Sequence, residues 1–236
     1  MNGTHRRILV YVVALSCSTA AQAAILLLDD TAGWNHFNGI EVIGNGSYVT
    51  PSFGQSFTVP TGVNAINSFT FWLNDELNNS TLHFTANLVK WNGTAGTGPL
   101  LYSSAAQVTT NNHGADGMEV FQFTFPGITV APGDQYMAFL STLGVSSGLT
   151  GTAYVGDMNG DVMSGGRAYV NYTTTTVASA VSSGWAFLQP SVDLAFRAQF
   201  TVVPEPAAIT LFSMFAIAAW CVRRRQRNIG CGLNRK

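Results

Sequence analysis

The chain has three cysteines, Cys17, Cys221 and Cys231, and none between Ile25 and Val203. That central region therefore holds no disulfide, no thiol nucleophile and no cysteine-ligated zinc. Positive charge is almost as scarce there. Lys90, Arg167 and Arg197 stand against eleven acidic residues, so three minus eleven leaves a net charge of −8. Nucleic-acid binding depends on Lys and Arg neutralising phosphates, and it is disfavoured. Attachment to anionic membrane surfaces is disfavoured for the same reason. Helical periodicity is missing from this region too. His36, His83 and His113 show no H-x-H or H-x-x-x-H spacing, so a zinc site would have to be gathered from distant loops.

What the region does contain is alternation with a period of two. In Leu82–Leu88, Leu82, Phe84, Ala86 and Leu88 share one face, and His83, Thr85 and Asn87 the other. In Met118–Phe125, Phe121, Phe123 and Phe125 share a face with Glu119. Between Ser191 and Val202, Val192, Leu194, Phe196, Ala198, Phe200 and Val202 alternate with a mostly polar set. This pattern predicts half-buried antiparallel strands. Further strands are predicted at Gly54–Val59, Ile66–Leu73, Leu100–Thr109, Gln135–Thr142, Thr152–Val155, Arg167–Tyr172 and Trp185–Leu188. Turn signals such as Pro60-Thr-Gly62, Asn92-Gly93, Pro126-Gly127 and Pro132-Gly-Asp134 separate them. Thr173–Gly184 reads as a hydrated Ser/Thr loop. The expected fold is all-β, an antiparallel, jelly-roll-like β-sandwich.

The two ends are of another kind. Arg6 and Arg7, then the apolar Ile8–Leu15, then Ala21-Gln22-Ala23 have the order of a secretory signal peptide, with cleavage expected between Ala23 and Ala24. Cys17 raises lipidation as an alternative, although Ala14 stands where a lipobox favours Leu. At the other end, Val203-Pro-Glu-Pro206 interrupts regular structure, because each proline fixes φ and removes a donor. Sixteen uncharged residues, Ala207–Val222, follow. A helix of that length covers roughly 24 Å at about 1.5 Å per residue. That approaches the ~30 Å of a bilayer core, and snorkelling and local thinning close such a gap. Arg223, Arg224, Arg225 and Arg227 would stay on the cytoplasmic side as a stop-transfer cluster. The competing reading, a buried C-terminal helix, lacks the amphipathic face that it needs.

The ordered triplet of Pro204-Glu205-Pro206, apolar span and arginine cluster resembles the PEP-CTERM sorting signal of exported bacterial proteins. The resemblance implies that Pro204, Glu205 and Pro206 are the recognition element. It also implies that the membrane peptidase called exosortase processes the tail after export by the general secretion machinery. Here the chain continues past Arg227 to Lys236. Gln55–Pro60, Ile66–Leu73 and Val130–Tyr136 resemble bacterial surface β-sandwich domains with variable C-terminal anchors, similar in outline to carbohydrate-binding jelly rolls. That resemblance implies a fold and a surface life, not a ligand. The expected organisation is a signal peptide at 1–23, an exported domain at 24–202, a sorting motif at 203–206, a transmembrane helix at 207–222 and a basic cytoplasmic tail at 223–236.

Candidate chemistry within the domain is sparse. Gly144-Val-Ser-Ser-Gly148 fits G-x-S-x-G, but Leu149-Thr-Gly-Thr after it is not helical and no histidine follows His113. Asp157, Asn159 and Asp161 stand at positions 1, 3 and 5 of a calcium-type loop, while Val162 and Ala168 occupy the Gly and Glu positions. A calcium site there would need ligands from another loop; a solvated acidic turn is the plainer reading, with no cofactor at all. Trp34, Trp72, Trp91 and Trp185 serve either a core or a sugar platform. Trp91, just before Asn92-Gly93, is the candidate for a rim position. A glycosidase would need two facing carboxylates from among Glu41, Asp75, Glu76, Asp116, Glu119 and Asp134, which sequence does not pair. The expected function is that of an exported, non-enzymatic surface or matrix protein, anchored in the inner membrane before processing. The alternative is a carbohydrate-binding module for cell-surface or matrix polysaccharide, with or without calcium.

Overall fold

Strands that alternate apolar and polar residues have one face to hide, and here two such sets hide against each other. The computed structural model describes residues 24–36, 39–44, 50–75, 81–110, 117–145, 151–172, 176–182, 184–188, 192–202 and 220. In chain order the elements are β1 (Ile25–Asp29), β2 (Gly39–Gly44), β3 (Ser52–Thr58), β4 (Val63–Asn74), β5 (His83–Trp91), β6 (Tyr102–Ser103) and β7 (Gln107–Val108). There follow β8 (Glu119–Thr129), β9 (Gln135–Ser141), β10 (Thr152–Asn159), β11 (Arg167–Asn171), α1 (Val177–Ser182), β12 (Ala186–Phe187), β13 (Val192–Leu194) and β14 (Phe196–Val202).

The first sheet runs β1-β14-β4-β10-β13, with β8 paired to β4 and β2 to β10. The second runs β12-β11-β3-β9-β5-β6, with β7 paired to β5. The named strands pair antiparallel throughout. Phe53 and Phe57 of β3, Leu88 of β5 and Leu140 of β9 face Phe69 and Phe71 of β4, Phe123 of β8 and Phe196 and Phe200 of β14 in one continuous core. The aromatic stripe of β8 and the alternation of β14 account for this side of the core directly. The mostly-β sandwich expected from the sequence is the fold observed.

One buried polar network ties the sheets together. Gln55, on the core face of β3, donates through Nε2 to Asp193 Oδ1 at 2.8 Å, and its Oε1 accepts from Leu194 N at 2.8 Å. Asp193 Oδ2 accepts from Val162 N and Met163 N, both at 2.8 Å. These bonds satisfy a fully buried carboxylate and pin the 160–166 connection against β3.

Three local expectations differ from the structure. The Val177–Ser182 segment is a short helix, not a loop. Thr176 caps it: its Oγ1 accepts from Ser179 N at 3.1 Å, and its backbone N donates to Ser179 Oγ at 3.1 Å. Ala180 and Val181 then bury against the outer face of the second sheet. Strand β10 continues past Val155 to Asn159, through the acidic stretch read as a turn. Finally, Ile25–Asp29 and Gly39–Gly44 form strands where none was expected.

The predicted signal peptide up to Ala23, the Pro204-Glu205-Pro206 motif, the arginines 223, 224, 225 and 227, and all of the predicted span except Trp220 lie outside the described residues. Among the described residues no helix is long and apolar enough to cross a membrane.

Candidate groove on the outer face of the second sheet

The outer face of the second sheet is half covered. Over β5 and β9, the side chains of Val89, Trp91, Met137 and Phe139 are capped by α1 and by Leu100 and Trp185, which form a second apolar cluster. Tyr169 of β11 lies at the edge of this cover. Beyond it the face opens into a groove of about 250 Å³ lined by Ser56, Gly93, Gln135, Asp161, Gly165, Gly166, Arg167, Tyr169 and Phe187.

Strand geometry explains which side chains reach it. Arg167 and Tyr169 are two apart on β11 and so point to the same face. Phe187 of β12 is the direct cross-strand partner of Tyr169. Their rings lie 5.0 Å apart, tilted by 35°. The Arg167 guanidinium carbon sits 5.2 Å from the Phe187 ring centroid. Phe187 nevertheless keeps 53% of its surface exposed, an unusual position for a phenylalanine. Ser56 stands opposite Arg167 in the β3–β11 register and receives its backbone N–H at 3.0 Å.

The far wall is the 160–166 connection held by Asp193. Thr58 Oγ1 donates to Gly165 O at 2.9 Å, and Gln135 Nε2 reaches the same carbonyl at 3.4 Å. Gly165 has a φ of 78°, which an L side chain rarely adopts. The groove's back wall is the Tyr169 hydroxyl, which donates to Gly93 O at 3.1 Å.

Charge within the domain is laid out economically. Lys90 pairs with Asp134 at 2.7 Å, and Arg197 pairs with Asp29 at 2.8 Å. Burial alone would raise the Asp29 carboxyl, but the hydrogen bonds from Thr31 and Arg197 outweigh it and hold it below its usual range. Arg167 has no carboxylate partner among the described residues, and neither does it pair with Asp161 across the groove. Asp193, just behind the wall, is pushed up chiefly by burial, against the three hydrogen bonds it accepts.

The sequence-predicted residues distribute unevenly around this groove. Trp91 is a correction: it is 3% exposed and sits under the helix, edge-on to Tyr169 at 5.0 Å and to Trp185 at 6.3 Å. Buried to that degree, it offers no platform to a sugar; it packs beside Tyr169 instead. Its neighbour Gly93 does line the groove. The calcium-type spacing is also broken by structure. Asp157 and Asn159 lie on β10, where Asp157 is buried and Asn159 exposed, and Asp161 alone joins the groove. A cation loop needs a turn that folds its oxygens inward, and an extended strand holds them apart. Burial raises the Asp157 carboxyl, which opposes a permanently charged ligand there. Among the described residues no group of three or more His, Cys, Asp or Glu is placed to hold a metal.

Of the carboxylates considered for glycoside hydrolysis, Glu119 accepts from Thr110 N and Oγ1, Asp134 is paired with Lys90, and Asp75 is buried. Glu76 and Asp116 lie outside the described residues, as does the side chain of Glu41. The groove itself holds one carboxylate, Asp161. Gly144 of the G-x-S-x-G match is a positive-φ turn glycine, and Ser146–Gly148 lie outside the described residues. Sequence reasoning passed over Arg167, Tyr169 and Phe187. The available signal was that Arg167 is one of only three cations in the domain.

No protein-family model matches the chain, and no curated protein matches it. Among solved structures, it is similar at a TM-score of 0.43 and 7% identity to the cysteine protease and lectin-like domains of Cwp84, a surface layer associated protein of Clostridium difficile. That match covers 69% of this chain and 34% of the other. A second, to the VP2 subviral particle of infectious bursal disease virus, has a TM-score of 0.30 and 11% identity, and covers 88% of this chain and 46% of the other. The chain thus spans well under two thirds of either structure.

Proposed function

We propose that this chain is an exported, non-enzymatic β-sandwich protein of the cell surface or extracellular matrix. In this reading its C-terminal Pro-Glu-Pro, span and arginine triplet delivers it and is then processed by an exosortase. The observation that carries the reading is the pairing of the first and last strands. Ile25 is in register with Thr201, and Val202 N donates to Ala24 O at 2.8 Å. The described strands start next to the expected signal-cleavage point and end next to the sorting motif. Cutting the chain at those two points would leave every described strand in place. The acidic balance and the lack of cysteine fit an exported, hydrated setting.

Fractionation tests this. The full-length chain is expected with the membranes of an exosortase-bearing host, and a chain lacking residues 203–236 in the soluble exported fraction. Replacing Pro204, Glu205 and Pro206 by alanine should leave the full-length chain unprocessed. Identical fractionation of full-length and truncated chains would falsify the anchor.

A second reading, saccharide binding at the surface, is favoured by one observation: the open groove in which Phe187 projects a half-exposed ring among polar side chains.

A further inference from the structure

We infer that the groove binds a saccharide carrying a carboxylate, a hexuronate unit of an acidic polysaccharide, with Arg167 as the group that selects the charge. This inference rests on the saccharide-binding reading and deepens it.

Three features of the site point the same way. The first is the use of cations. The domain has three, and two are spent on ion pairs with Asp134 and Asp29. Arg167 is the third. It is exposed at the start of β11, lies over an aromatic ring, and bonds to no carboxylate among the described residues. A planar guanidinium presents a fork of donors that matches a carboxylate in two-pronged fashion. In a domain with a net charge of −8, such a free cation is the point at which an anion gains most.

The second feature is Phe187. It supplies an apolar ring surface beside that charge, and pyranose C–H faces stack on such surfaces. Tyr169 holds it from behind and is itself fixed by its bond to Gly93 O, so the platform is set before a ligand arrives.

The third is Asp161, which lines the same groove and has no hydrogen-bond partner among the described residues. A carboxylate there accepts hydrogen bonds from hydroxyls and repels a ligand that is only anionic. Arg167 calls for a carboxylate, Asp161 for hydroxyl donors, and Phe187 for a flat C–H face. A uronate sugar carries all three, whereas an acidic peptide carries the first alone.

The test uses the full chain in mild detergent and titration calorimetry with four probes. These are a galacturonate tetrasaccharide, its methyl ester, a neutral galactose tetrasaccharide and a tetraglutamate peptide. The galacturonate oligomer is expected to bind, with affinity falling as salt rises. Arg167→Gln and Phe187→Ala should each weaken it at least tenfold, Arg167→Lys should weaken it less than Arg167→Gln, and Asp161→Asn should also reduce it. All of these side chains are on the surface, and unchanged thermal melting would show that the variants fold. The methyl ester should bind wild type no better than the acid binds Arg167→Gln. Equal affinity for the ester or the neutral oligomer, lost in Phe187→Ala, would overturn the uronate assignment and leave saccharide binding standing. Equal affinity for tetraglutamate would overturn both. Binding of no probe would remove the groove as a site and would leave the export reading to its own fractionation test.

Discussion

Asp30 is the residue on which the protein's pH behaviour turns. Its Oδ1 accepts from Phe196 N at 2.8 Å, but Oδ2 is buried with no hydrogen-bond partner. Burial pushes its carboxyl up to about 8; Asp193 and Asp29 add to this, and the Phe196 N–H opposes it. The folded state therefore keeps a proton that the unfolded chain has lost above about pH 4. Stability should fall as pH rises from about 4 to about 8 and level off above that, with a slope of up to about 1.4 kcal/mol per pH unit. Asp193 is also raised and acts with the same sign. Asp30→Asn keeps the acceptor for Phe196 and removes the titration. Urea denaturation at pH 5 and pH 8.5 should show wild type weaker at the higher pH, and the variant with most of that difference gone. A wild type equally stable at both would refute the assignment. At this scale the sequence was least legible. Trp91 reads as a rim residue because it follows a break in alternation and precedes Asn92-Gly93, yet it points to the face that α1 happens to cover. Only the position of a helix nearly ninety residues later makes it core.

Elements were legible where their apolar faces meet the main core. The strands β3, β4, β5, β8, β9 and β14 show their period because one face of each meets the opposite sheet. The edge strand β1 was missed: Ile25-Leu-Leu-Leu runs apolar without alternation, although Leu26 and Leu28 turn inward and Ile25 and Leu27 outward. The continuation of β10 was missed because Asp157 and Asn159 suggest a turn, whereas Trp34 folds over this strand from outside. Gly156 makes that approach possible. A Cβ at Gly156 would meet the Trp34 ring at 2.8 Å and Trp72 Cβ at 3.2 Å. Gly156→Ala should therefore lift Trp34 off the sheet and destabilise the fold by about 1–3 kcal/mol. The expected readout is a red shift in tryptophan emission together with a lowered denaturation midpoint. An unchanged emission maximum would mean that Trp34 does not seat there.

For the whole molecule, the decisive contact is the one between the first and last of its described strands. β1 covers the edge of β14, adds Leu26 and Leu28 to the core, and contributes Asp29 to the ion pair with Arg197. A chain beginning at Asp30 would expose β14 as an unprotected edge. It should lose about 3 kcal/mol of stability and self-associate, as read by light scattering. A monomeric, equally stable product would contradict this. The sequence by itself determined the class of fold, because a two-residue period tied to a buried face permits little else. It also determined the acidic balance of the region between Ile25 and Val203 and that region's lack of thiols, since composition needs no folding to be read. The groove was settled in three dimensions. Arg167, Tyr169 and Phe187 meet because β12 returns beside β11, and Asp161 joins them because a buried Gln55–Asp193 bond pins its loop to the other sheet. Those contacts join residues up to 138 positions apart, and no local pattern encodes them.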